Sequence, residues 1–133
     1  MNQIFNHIFW STHALLIGRV MMGGLFLLSG IQKLQGIDAV AGYISGVGFP
    51  APLLFAWFAA LLEVAAGAAI IIGKYFKEAA VTLAIFVFII TFIFHSPNNW
   101  EANSLAFLKN MAIVGGLLFM AAHGAGNTWK LQK

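Results

Sequence analysis

The sequence predicts an all-α membrane protein, a bundle of four transmembrane helices preceded by a short interfacial helix. Three observations carry that prediction. Hydrophobic residues make up 61% of the 133 positions and charged residues 8%. The mean hydropathy is +0.89, and a soluble domain of this size could not hide so much apolar surface. Four apolar stretches, each close to the ~20 residues a helix needs to cross the hydrocarbon core, are separated by short polar or turn-forming segments. At 14.4 kDa these spans consume most of the chain, so residues 1–133 form one membrane-embedded domain with no room for a separate catalytic one.

The first twelve residues, MNQIFNHIFWST, lack the basic region and the cleavage site of a signal peptide and are expected to stay on the protein. Ile4, Phe5, Ile8 and Phe9 recur at helical spacing opposite Asn2, Asn6 and His7, which suits an amphipathic helix at the membrane surface; a frayed tail is the alternative. The spans follow at about 13–34, 52–73, 77–95 and 105–123. Between the first two, a Gly- and Pro-rich segment with Tyr43-Ile44 predicts a short surface helix ending at Gly46 or Gly48. Residues 73–78 predict a tight turn, and 96–104, with Pro97, Asn98 and Asn99, a polar loop.

Small residues mark where helices approach closely in lipid. Gly23-Gly24 and Gly30, the run 65–69 around Gly67, and Gly115-Gly116 offer such surfaces. The third span, bulky and aromatic almost all round, is expected to face lipid most. The basic excess, +3 from seven Lys or Arg, is scattered singly and excludes a nucleic-acid-binding face. Lys74, Lys77, Lys130 and Lys133 fall on the side of the termini, which places both termini in the cytoplasm.

The chain has no cysteine, which removes thiol nucleophiles and thiolate metal sites, and no metal-ligand spacing, nucleophile elbow or phosphate loop is present. Candidate functional residues are therefore the polar groups inside the spans, where an ionised side chain costs at least ~2.5–3.5 kcal/mol and seeks a partner. Glu63 lies midway along the second span and Arg19 six residues into the first. A buried Arg19–Glu63 pair is expected, either as a register-fixing staple or as a proton- or anion-handling catalytic pair. Near the outer face, Lys33, His95, Lys109 and Asn110 bring cations, an imidazole and an amide to similar depth, a set able to bind a quinone head group or a small anion. Taken alone, Lys33 is explained by snorkelling to the interface. His13 and His123 close the inner ends of the first and fourth spans, but no covalent-haem motif accompanies them and haem is not expected.

These residues also carry a likeness. Gly18-Arg19, FLLSGIQKL, Tyr43 before GVGFPAP, LLEVAAGAAIIIG, Phe94-His95 and FLKNMAIVGGLL follow one another from Gly18 to Gly126 in an order and spacing that resembles the DoxX family. The resemblance implies a four-helix protein of the bacterial plasma membrane, often an oxidoreductase subunit or a membrane anchor for redox partners. Some members are linked with quinone-coupled oxidation of sulfur compounds such as thiosulfate, others with oxidative-stress complexes. It implies for this chain a quinone-interacting redox subunit, or an anchor for a redox protein partner, with no cofactor built in. The alternative is a non-enzymatic scaffold or small-solute carrier whose charges are structural. The lipid bilayer is the surrounding partner, and a bundle this small suits a homodimer.

Overall fold

The computed structural model describes residues 13–126, together with Gln3. The expected N-terminal interfacial helix and Lys130 and Lys133 lie outside the described residues. Within them the chain is helical without strands: α1 spans Leu15–Gln35, α2 Ile37–Gly46, α3 Pro52–Ile72, α4 Phe76–Phe94 and α5 Trp100–His123, with a 3-10 turn at Pro97–Asn99. α1, α3, α4 and α5 are long and apolar enough to cross a membrane, matching the four predicted spans within a few residues, and α2 is the predicted surface helix. The fourth helix departs most from expectation. It starts at Trp100, five residues earlier, because Ser96 accepts from the Asn98 amide and starts a 3-10 turn that runs directly into the helix.

The turn from α3 to α4 shows how local chemistry sets the hairpin. Gly73 ends α3 at φ 85°, a left-handed conformation that costs glycine nothing, and its amide donates to the Ala69 carbonyl. Pro52 opens α3 where its missing N–H has no helical partner to lose.

α3 is the centre of the bundle, packing against α1, α2 and α4, while α4 packs in turn against α5. The α1–α3 seam is a close antiparallel approach. A Cβ added at Gly67 would lie 2.7 Å from the Gly23 carbonyl oxygen and from the Leu27 amide nitrogen; one added at Gly30 would lie 2.8 Å from the Ala60 carbonyl. These glycines let the backbones touch where lipid supplies no hydrophobic drive. A Cβ added at Gly24 or Gly115 would meet nothing within 4 Å among the described residues, and one at Gly116 would meet the Met22 methyl at 3.1 Å, so Gly24 and Gly115 are not part of the close seam.

The third spanning helix is not the most lipid-facing; it is the most buried, and the fourth is the least. Phe76, Ala79, Ala80, Leu83, Ala84, Val87 and Thr91 recur every three to four residues and turn one face of α4 into the core, leaving Val81, Ile85, Phe88, Ile89 and Phe92 outside. Bulk alone hid that stripe. The outer surface carries large apolar groups such as Leu105 (79% exposed) and Phe119 (81%). A surface of this kind needs lipid as its solvent.

Candidate functional site

Glu63 occupies the middle of α3 and points into the α1 seam, with 5% of its side chain exposed. It is paired with Lys33, not with Arg19. Lys33 Nζ donates to Glu63 Oε1 at 2.9 Å and to Ser29 Oγ at 2.9 Å, and the Ser29 hydroxyl donates to the same Oε1 at 2.9 Å. Helical side chains lean toward the N-terminus, so Lys33 lies over Ser29 one turn back, and both face the carboxylate. Lys33 thus turns inward to a partner instead of snorkelling outward.

Register explains why Arg19 cannot be that partner. The seam sets Gly23 against Gly67 and Gly30 against Ala60 and Val64, which places Arg19 opposite Ile70 and Ile71, two turns or about 10 Å beyond Glu63. There the guanidinium, 2% exposed, donates to the carbonyls of Ile71 at 2.8 Å, Ala125 at 3.3 Å and Ile70 at 3.4 Å. It sits on the negative end of α3, which its charge complements, and reaches the segment just beyond α5. Arg19 therefore ties the start of α1 to the end of α3 and to the segment that follows α5.

Two cavities flank the Lys33–Glu63 pair, which lines both. The first, about 320 Å³, is walled by Tyr43, Phe55, Phe86 and Phe94, with Lys33, Glu63 and His95 also lining it. Tyr43 and Phe94 are in contact with ring centroids 5.6 Å apart, and Phe49 and Phe55 at 4.7 Å. The second, about 370 Å³, holds Ser29, Lys109 and Asn110 beside the same pair. The expected outer cluster is thus divided: His95 lies in one cavity, Lys109 and Asn110 in the other, and Lys33 between them. Asn110 Nδ2 donates to Thr91 Oγ1 at 3.1 Å, and that hydroxyl donates to the Val87 carbonyl at 2.6 Å. His123 belongs elsewhere, lining a cavity of about 380 Å³ with Arg19 at the opposite end of the bundle.

Sequence reasoning did not single out Ser29 or Thr91 as site residues, nor the aromatic wall. The Ser29–Lys33 spacing of four residues on one helix face was the available signal for the first; nothing in the sequence marks Thr91, whose partner comes from another helix.

The fold and the site together define a four-helix membrane protein with an ion pair held between its first two spans and ligand-sized cavities on both sides of it. Residues 14–96 match the DoxX family, and the chain belongs to that family. It is 35% identical over 114 residues to the inner membrane protein YqjF of Escherichia coli (strain K12), covering 84% of each chain. It is 30% identical over 119 residues to the inner membrane protein YphA of the same organism, again covering 84% of each. No solved structure matches the chain.

Proposed function

We propose that the protein is a quinone-interacting membrane subunit of an oxidoreductase, and that the aromatic cavity beside Lys33 and Glu63 receives the quinone head group. The observation that supports this reading most directly is the donor set of that cavity. Flat aromatic faces from α2, α3 and α4 enclose a space at the small end of the ~300–1,000 Å³ typical of ligand sites. Lys33 from α1 and the imidazole of His95, just past the end of α4, can donate to carbonyl oxygens of a flat ring.

A bound quinone supplies two-electron, two-proton acceptor chemistry. The chain's own contribution is to bind, orient and handle charge. Lys33 and His95 position the ring oxygens; the Phe walls exclude water. Glu63 supports a proton role because all its bonds fall on Oε1, leaving Oε2 without a partner among the described residues and still accessible. Arg19 is assigned to the scaffold, remote from this chemistry. With no cysteine in the chain, electrons come from a redox protein partner. Lys74 in the α3–α4 turn and Lys77 at the start of α4 support an orientation with that end of the bundle, and both termini, on the cytoplasmic side of the bacterial inner membrane.

The test is mass spectrometry of the organic extract from gently purified protein, with a visible spectrum, on wild type and on Lys33→Ala and His95→Ala. Stoichiometric quinone in wild type and its loss in both variants supports the reading. An empty extract, with no uptake of added quinone, refutes it and leaves the charges as the structural network of a scaffold.

A further inference from the structure

We infer that Lys109 is a second, alternative cationic partner for Glu63, so that the carboxylate exchanges lysines between the two cavities. Four observations converge. Glu63 is 5% exposed and lies at the middle of a spanning helix, where it needs a cation. Its Oε1 takes both the Lys33 ammonium and the Ser29 hydroxyl, while Oε2 accepts nothing from the described residues. Lys109 makes no hydrogen bond or ion pair with the described residues although it lies nine residues into a spanning helix. Glu63 and Lys109 line one and the same cavity.

The remaining polar and charged groups around the carboxylate are accounted for. Lys33 and Ser29 from α1 hold Oε1; Tyr43 from α2 and His95 after α4 share the aromatic cavity with Glu63 and do not line the second one. Asn110 is committed to Thr91. In the second cavity Lys109 remains, on a flexible stem with three donors. When Lys33 is drawn to an acceptor in the aromatic cavity, Lys109 neutralises Glu63 from the other side, so neither step leaves a bare carboxylate in the bundle. Lys109 is thereby a positioning residue: it acts through Glu63 and frees Lys33. The exchange stands on the geometry alone; its use in holding a ring oxygen rests on the quinone reading above.

The experiment records infrared spectra of the full chain in lipid at neutral pH, with Glu63→Gln assigning the carboxyl band, and adds no quinone. Lys33→Met is expected to keep Glu63 ionised, because Lys109 takes it. Lys33→Met/Lys109→Met is expected to show a protonated carboxyl, and Lys33→Met/Lys109→Arg to restore the ionised form. A protonated band already present in Lys33→Met, or absent from the double variant, overturns the inference. Should the double variant not fold, zero-length carbodiimide coupling of Lys33→Met decides: a Glu63–Lys109 cross-linked peptide supports the exchange, and its absence overturns it. Because no quinone takes part, failure here and failure of the extraction test are distinguishable.

Discussion

Replacing Gly67 with alanine adds one methyl group at the point where α1 and α3 touch. The added Cβ would meet the Gly23 carbonyl and the Leu27 amide at 2.7 Å and the Leu27 Cα at 3.2 Å, all backbone atoms that cannot swing aside. The first two contacts fall 0.7 Å short of an ordinary 3.4 Å separation, so the helices must part by about that much. The same opening strains the 2.9 Å bonds from Lys33 and Ser29 to Glu63, which span the seam. Overpacking of this kind costs about 1–3 kcal/mol, and with the weakened seam bonds the expected loss lies near the top, about 3 kcal/mol. The assay is reversible unfolding in mixed micelles followed by circular dichroism, with Gly24→Ala as the control. Gly24 has nothing within 4 Å, and the alanine there is expected to be neutral or slightly stabilising. Equal stability of the two variants, or a loss below about 0.5 kcal/mol in Gly67→Ala, would refute the close-seam reasoning.

Arg19→Lys keeps the charge but loses the planar fork that reaches three carbonyls on two chain segments. It is expected to destabilise by about 2 kcal/mol or more, at ~1.5–3 kcal/mol for a bond to a charged group; wild-type unfolding of Arg19→Lys would contradict the clamp. His95 has no side-chain bond among the described residues, so His95→Ala should leave stability within about 0.5 kcal/mol. Under the quinone reading the same variant weakens uptake of added quinone at least ~10-fold, the worth of one lost polar contact of ~1.4 kcal/mol; unchanged uptake would remove His95 from the site.

Composition and periodicity alone determined that four helices cross a membrane, where they begin and end within a few residues, and that Arg19, Glu63, Lys33, His95, Lys109 and Asn110 are the polar groups to watch. That follows because the hydrocarbon thickness sets span length, and an intramembrane charge is conspicuous in any apolar run. Partner choice was settled by the tertiary structure. Arg19 and Glu63 looked compatible by depth within their own helices, but depth ignores register, and contact between Gly23 and Gly67 slides Arg19 two turns past the carboxylate. Likewise α4 looked apolar on every side, and only its packing against α3 and α5 distinguished the Ala-rich inner face from the lipid-facing one. The sequence names the charges in the membrane; the backbone contact between two glycines decides which of them meet.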